Sequence, residues 1–342
     1  MLVTVTGGTG FVGSHTVAQI LRGGHRVRLL VRSEAAVDDA LRPLGIDPGG
    51  VDVLVGDVLD EQSVARAVRG ADAVLHAASV YSFDSRDRHR MREVNAGGTE
   101  NVLGAARAAG ARTLYVSSIV ALMPSGRTPL HTGSPVGRSR EPYFASKAAA
   151  ERVARRHQAQ GSPIVISYPP AMLGPHDPHF GDQTTRLRNV LRNLIPIWPL
   201  GGYAVGDVRD TAALHAAALT HATGSDRYFG PGVYLSTRQY MRTLRRVTGR
   251  GLPTVYLPAH AMYPVGLLAD VVQRVWPYHI PAEYGALYTC GCATRIDQSV
   301  TAPQELTARP VEQTLADTVR WLYQSGKLSD HQAGAAATAN RT

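Results

Sequence analysis

Met1-Leu2-Val3-Thr4-Val5-Thr6-Gly7-Gly8-Thr9-Gly10-Phe11-Val12-Gly13 opens the chain, and its reading decides the fold. The first five residues make a short apolar, β-branched run, and beyond Gly13 apolar residues recur at helical spacing through Val17, Ile20 and Leu21. The stretch predicts strand, glycine-rich turn, helix. In such a unit Gly7 permits the tight turn, Gly10 lets the backbone approach a pyrophosphate, and Gly13 allows the helix to pack close on the strand. The phosphates would rest at the amino end of the helix, where backbone N–H groups have no intrahelical partner.

Working outward, the same rhythm repeats. Residues 27–32 read as a second strand ending on a base, Arg32, and residues 51–58 as a third. Asp60 caps a helix running to Gly70, residues 73–78 form a fourth strand, and residues 94–109 a helix closed by Gly110. Residues 113–118, a helix carrying Tyr143, and residues 163–168 complete the series. Strands alternating with helices predict an α/β fold, a Rossmann-type doubly wound parallel sheet with ligands outside the carboxyl ends of its strands. Residues 1–170 form the dinucleotide-binding part. Residues 171–328 read as a smaller, loop-rich C-terminal substrate-binding part with some segments returning to the sheet, and residues 329–342, small, polar and Ala-rich, as a disordered tail.

A second constellation is Tyr143-Phe144-Ala145-Ser146-Lys147. Lys147 is one of only two lysines, against thirty-four arginines. On a helix, positions i and i+4 share a face, so the ammonium can stand beside the phenol and lower its pKa from about 10 towards neutrality. A phenol so tuned can donate a proton to a substrate oxygen at physiological pH.

Composition bounds the remaining choices. The 342 residues suffice for a sizeable core, and the first strand begins at Met1 with no charged leader or separate apolar segment before it. No membrane span is expected. The most apolar stretch, residues 261–272, is broken by Pro264 and Asp270 and reads as a buried or pocket-lining helix, with membrane-surface contact as the lesser alternative. Cys290 and Cys292 flank Gly291, too close for an unstrained disulfide, so they are expected as free thiols in a reducing, cytoplasmic setting. The net charge of +9 raises a nucleic-acid partner, but the arginines are dispersed, and residues 86–92 hold no aromatics to stack on bases. That run reads as a solvated helix face, and no nucleic-acid partner is expected. No metal site is expected either: His176-Asp177-Pro178-His179 sits in a proline-broken loop and reads as surface polar structure. Asp207 and Asp210 read as a turn and a helix cap.

Thr6 to Gly13, Gly56-Asp57-Val58, His76-Ala77-Ala78, Asn95 before Gly98-Thr99, Val116-Ser117-Ser118 and Tyr143-x-x-x-Lys147 occur in an order and spacing that resemble an extended short-chain dehydrogenase/reductase. Residues 169–175, Gly206-Asp207-Val208-Arg209-Asp210 and Arg309-Pro310 through Trp321 extend the likeness over nearly the whole chain. Within that group it looks closest to the dihydroflavonol reductase-like and 3β-hydroxysteroid dehydrogenase-like branch.

The resemblance implies roles for the matching positions. Tyr143 would be the general acid/base, Lys147 would hold the nicotinamide ribose while lowering the Tyr143 pKa, and Asn95 would support a water-linked proton path. By sequence alone Ser117 and Ser118 are equally placed; the family's substrate-binding serine falls at Ser118. Gly7, Thr9, Gly10, Phe11, Val12 and Gly13 would surround the pyrophosphate. Asp57 and Val58 would lie by the adenine, with His76, Ala77, Ala78 and Ser117 beneath the cofactor and Pro169 and Met172 near the nicotinamide. Arg32 suits the 2′-phosphate of NADP, where an acidic residue would suit NAD, so NADP is expected, with NAD as the alternative. Tyr81, Phe83 and Leu173 would wall an apolar substrate pocket.

The expected activity is NADP-dependent reduction of a ketone or aldehyde on a fairly apolar small molecule, or oxidation of the alcohol. The alternatives are a nucleotide-sugar epimerase or dehydratase with tightly bound NAD, and a dinucleotide-binding regulatory protein without turnover. A homodimer through the helices near Asn95 and Tyr143 is implied by resemblance.

Overall fold

The computed structural model describes residues 1–126, 128–221, 224–273, 284–297 and 307–337. The first half alternates as β1 (Leu2–Thr6), α1 (Phe11–Arg22), β2 (Arg26–Val31), α2 (Ala35–Leu41), β3 (Asp52–Val55), α3 (Glu61–Val68), β4 (Ala73–His76), α4 (Arg88–Arg92), α5 (Thr99–Ala108), β5 (Arg112–Val116), α6 (Pro142–Ala159) and β6 (Ile164–Tyr168). The second half continues with β7 (Ala171–Leu173), α7 (Asp182–Leu191), β8 (Ile197–Leu200), β9 (Gly202–Asp207), α8 (Val208–His221), β10 (Arg227–Phe229), β11 (Val233–Ser236), α9 (Thr237–Thr248), β12 (Val255–Pro258), α10 (Ala259–Gln273), α11 (Tyr284–Cys292), α12 (Val311–Gln324) and α13 (Asp330–Ala333).

Seven parallel strands form the main sheet in the order β10-β6-β5-β4-β1-β2-β3. The doubly wound Rossmann-type fold expected from the sequence is therefore present. Side-chain alternation fixes its two faces. Val3 and Val5 of β1, Leu114 and Val116 of β5 and Val165 of β6 join Val17 and Ile20 of α1 and Leu214 and Ala218 of α8 in one cluster. Tyr115, Ile164, Ile166 and Tyr168 point the other way, onto Phe144, Ala150 and Ala154 of α6. The chain reverses direction between β1 and β4, and the loops leaving these neighbours diverge there, opening a crevice at their carboxyl ends.

The C-terminal part is built mainly of helices and short strands rather than loops. It has its own core, in which Trp198, Tyr203, Tyr240 and Leu244 meet Leu315 and Val319 of α12. A three-stranded sheet, β11-β9-β7, and a β12-β8 pair support it. Asp207 caps α8 by accepting from the Arg209 N–H at 2.8 Å, whereas Asp210, expected as the cap, lies inside the first turn; both join distant segments, Thr314 donating to Asp207 at 2.9 Å and the Arg309 backbone N–H to Asp210 at 2.7 Å.

Two sequence expectations change here. The stretch from 329 is ordered through residue 337. Ser329 and Gln332 form a capping box at the start of α13, and Ala333 and Ala336 are buried in the C-terminal core. Small side chains reflect close packing in that case; residues 338–342 lie outside the described residues. The apolar stretch 261–272 does form a helix, yet Val265, Leu267, Leu268 and Val271 are exposed rather than buried.

Candidate active site

At the carboxyl ends of β1 and β4 the glycine turn is shaped by contact. Gly7 has φ of 75°, and a Cβ there would stand 2.5 Å from the Ala78 nitrogen. A Cβ on Gly13 would stand 2.0 Å from the Gly7 carbonyl oxygen. Both positions exclude side chains, and α1 begins at Gly10 with no side-chain cap. Its first N–H groups thus face a cradle sized for an anionic diphosphate, which fits a dinucleotide.

A cavity of about 410 Å³ continues from that cradle. Gly7, Gly10, Phe11, Val12, Gly13, Ala77, Ser117, Ser118, Tyr143, Lys147, Pro169 and Met172 line it, so most of the expected residues converge. Arg32 stands exposed beyond the end of β2, and Thr9, Asp57, Val58 and Ala78 are not on the cavity wall.

Several expectations are corrected in detail. Val58 turns its side chain into a core cluster with Leu30 and Val64. Leu173 packs with Leu187 and Leu191 in the C-terminal core, because on strand β7 it faces opposite to Met172, which reaches the cavity. His76 lies within the sheet, its ring nitrogens 2.7 Å from Thr6 Oγ1 and 2.9 Å from Thr99 Oγ1. Burial, with Lys147 nearby, lowers its pKa to about 3, so it is a neutral structural group one layer below the cofactor cradle.

Tyr143 sits in the first turn of α6. Pro142 occupies the helix start, and Glu141 caps it by accepting from the Phe144 N–H at 2.8 Å. Burial lifts the Glu141 carboxyl to about 7. The Tyr143 ring is boxed edge-on by Tyr81, with centroids 4.8 Å apart, and by Phe83 at 5.8 Å. The sequence predicted a phenol pKa lowered by Lys147. The structure gives the reverse: burial raises it above the usual tyrosine value, opposed by a hydrogen bond with Ser118. Lys147 reaches instead to the Val116 carbonyl, 3.4 Å away, and lies 5.8 Å over the Tyr115 ring. Burial lowers the ammonium pKa to about 8, and Glu151 opposes that shift.

The two adjacent serines divide. Ser118 faces the phenol, while Ser117 donates to Glu151 at 2.8 Å. Glu151, fully buried, also accepts from Arg155 at 2.7 Å and from the Tyr168 hydroxyl at 2.6 Å. Tyr143, Lys147, Glu151 and Arg155 thus climb one face of α6 at four-residue intervals. Glu151 escaped the sequence reading, although that spacing was its available signal.

Asn95 lies in a π-helical turn, Glu93–Gly98, a geometry concentrated at functional sites. Its carbonyl accepts from Ser79 Oγ and the Val80 N–H, and its amide donates to the Val80 carbonyl and to Ser146 Oγ, all within 3.1 Å. All four hydrogen-bonding positions of the side chain are filled, so it fixes the Tyr81 loop to α6. The Asp177 loop also differs from expectation. Asp177 is buried, accepts from Thr184 Oγ1 at 2.6 Å, and lines the cavity with His179 and Gln183. Among the described residues no group of three metal-ligating side chains occurs.

A nucleotide cradle running into a Ser118-Tyr143-Lys147 wall is the arrangement of an extended short-chain dehydrogenase/reductase. The chain belongs to the NAD dependent epimerase/dehydratase family, whose model matches residues 3–229. It is 31% identical over 335 residues to the Synechocystis protein named "Putative dihydroflavonol 4-reductase", covering 94% of each chain. It is 27% identical to sterol demethylase protein B of Methylococcus capsulatus, over 96% of this chain and 100% of the relative. The crystal structure of gox2253 superposes with a TM-score of 0.79 at 27% identity, covering 96% of this chain and 99% of that one.

Proposed function

We propose that the protein is an NADP-dependent reductase of ketones or aldehydes on fairly apolar small molecules, working in the reducing setting that its free thiols Cys290 and Cys292 suit. The observation that carries this reading is the Tyr143 phenol, hydrogen-bonded to Ser118 on the wall of an aromatic-lined cavity that continues the nucleotide cradle. A phenol hydrogen-bonded to a neighbouring hydroxyl at the cavity wall is placed to give its proton to a substrate oxygen, and the Lys147 ammonium one turn along α6 would favour the phenolate left behind.

When bound, the nicotinamide would supply the electron pair and hydrogen that reduce the carbonyl carbon. Ser118 and Tyr143 would both hydrogen-bond the carbonyl oxygen, and Tyr143 would release its proton as charge develops there. Lys147, next to Tyr115 and held by Val116, would place positive charge beside the cradle and the phenol. Gly7, Gly10 and Gly13 would hold the diphosphate, and Arg32 would meet a 2′-phosphate. Tyr81, Phe83, Ile119, Val120 and Met172 form walls that favour an apolar substrate, as the names of the reductase-like and sterol-related relatives also suggest.

The test is to release and identify the cofactor from freshly purified protein and follow exchange of added NADPH. Free exchange, with turnover of apolar carbonyl compounds that Tyr143→Phe removes, supports the reading. Retained NAD that does not exchange, with activity on nucleotide sugars, replaces it with an epimerase or dehydratase.

A further inference from the structure

Tyr143 has almost no helix in front of it. It is the second residue of α6, in the turn whose N–H groups lack intrahelical carbonyls, and Pro142 before it has no N–H at all. A side chain holds this turn instead. The Glu141 carboxylate accepts from the N–H groups of Tyr143 and Phe144, the latter at 2.8 Å, while the Glu141 carbonyl accepts from Ala145 at 2.9 Å. On its other side the Tyr143 carbonyl accepts from Ser146 Oγ at 2.7 Å, and Ser146 accepts from Asn95. The Tyr143 backbone is thus clamped at both polar groups, once by Asn95 through Ser146 and once by Glu141.

A serine or threonine could cap the same turn without charge. The carboxylate adds a proton-binding group, and its surroundings do not neutralise it. Glu141 is buried, and among the described residues the charge that reaches it from a neighbouring element is a second carboxylate, Asp270 of α10. From α11 come two phenols: Tyr284 feels the Glu141 charge, and the Tyr288 hydroxyl bonds to Ser139, whose Oγ accepts from the Glu141 N–H at 3.1 Å. On α6 itself Tyr143 feels the same charge. Helix α4 turns Met91 inward and leaves Arg88, His89, Arg90 and Arg92 exposed, as are Glu93 of the π-helical turn and Arg138 and Arg140 of the preceding loop. Glu100 of α5 pairs with Arg156 and His157, towards the far end of α6.

We propose that Glu141 is a positioning residue of the reaction, whose ionised carboxylate clamps the first turn of α6 and so keeps the Tyr143 phenol against Ser118. This role rests on Tyr143 as the reacting acid. With the clamp gone, the first turn frays and the phenol leaves the geometry in which it meets a substrate oxygen; a misplacement of about 1 Å can cost on the order of a hundredfold in rate. Burial, with Asp270 adding to it, brings the Glu141 carboxyl up to about 7, so the clamp gains its charge within the working range of the enzyme. Below that pH the neutral carboxyl still offers an oxygen to an N–H, as an amide would, and the charge-assisted part of the clamp is lost.

The test compares Glu141→Gln, Glu141→Ala and Asp270→Asn with the wild type in two measurements. The first needs no substrate: hydrogen exchange of the peptide spanning residues 141–147, corrected for the intrinsic rate at each pH. Glu141→Ala should speed exchange at Tyr143 and Phe144 by about tenfold or more, and Glu141→Gln, which keeps an acceptor of the same reach, should fall between. The second is NADPH oxidation by an apolar ketone or aldehyde. Glu141→Ala should lower kcat about tenfold and leave NADPH affinity, set at β1 and α1, within about twofold. The ratio of wild-type to Glu141→Gln turnover should be about three near pH 8 and approach about one near pH 6, a comparison that cancels the titration of Lys147. Asp270→Asn should carry that change to lower pH.

Unchanged exchange in Glu141→Ala overturns the proposal, as does faster exchange with kcat unmoved. Should Glu141→Ala fail to fold, the Glu141→Gln ratio decides, and a ratio independent of pH overturns it. Activity on nucleotide sugars in place of carbonyl compounds would replace the functional reading, while the same ratios taken on that activity would still judge Glu141.

Discussion

Ser117 donates to Glu151 across 2.8 Å, and this bond turns the first of two neighbouring serines away from the Tyr143 phenol. Ser118→Ala should therefore lower turnover by about a hundredfold or more while leaving cofactor affinity intact. Ser117→Ala should keep turnover within a few-fold and reduce stability by about 1–3 kcal/mol, since a buried carboxylate loses a donor. Steady-state kinetics and denaturant unfolding of the pair separate the two roles. Equal catalytic losses would show that the hydroxyls are interchangeable.

Lys147 gives the site its alkaline limit. Its pKa is lowered to about 8, so the ammonium is present below that pH and turnover should fall as pH rises through it. Glu151 opposes the lowering, so Glu151→Gln should move this limb to lower pH. An unmoved limb in the variant's pH–rate profile would reject the coupling.

The stability consequence of Lys147 has the opposite sense. The unfolded chain keeps the ordinary lysine pKa of 10.5, so the folded state binds fewer protons between about 8 and that value. The resulting penalty, on the order of 3 kcal/mol, is fully present below about pH 8 and disappears as pH approaches the unfolded value. Lys147→Met should raise the melting temperature at pH 7 while removing turnover; a lower melting temperature would contradict this.

Arg32 is exposed past β2 and free to meet a 2′-phosphate. Arg32→Asp should weaken NADPH binding by about tenfold or more and leave NADH binding equal or improved. Titration of both cofactors into wild type and variant checks it, and parallel losses for the two would remove Arg32 from cofactor selection.

Three buried histidines make the fold sensitive to acid. Burial lowers His76 and His215 to about 3, and His15 to about 4. Below the unfolded value of 6.5 the unfolded chain takes up protons that the folded chain refuses, so stability falls as pH drops. The loss should be roughly 2 kcal/mol per histidine between pH 6.5 and 5, measured by denaturant unfolding. His215 bridges Thr16 on α1 and Ser167 on β6, and His215→Gln should flatten part of this slope.

The main sheet was legible because parallel strands covered on both faces must be continuously apolar, and Val3, Val5, Leu29 and Leu75 announce that. The Tyr143-Lys147 spacing likewise located the site. What remained hidden depended on distant partners. Leu173 and Met172 exchange roles according to the pairing of β7 with β9, which the local sequence does not contain. The rise in the Tyr143 pKa comes from burial in the folded chain, where the Tyr81 and Phe83 rings stand against the phenol, and α10 meets α11 through a narrow fit at Gly266. At 329–337 two local signals conflicted: an Ala-rich composition suggested disorder, while Ser329 and Gln332 stood ready as a capping box.

Strand β10 enters the main sheet beside β6 only after the excursion through β7, β9 and α8, and α8 covers α1. During synthesis on a ribosome, then, the nucleotide half cannot finish when residue 170 emerges. Its outer edge and the bare side of α1 must wait some sixty residues for Phe229, at the end of β10. A nascent chain stalled between these points should remain a client for chaperones, and release of that dependence should track the appearance of residue 229 rather than residue 170.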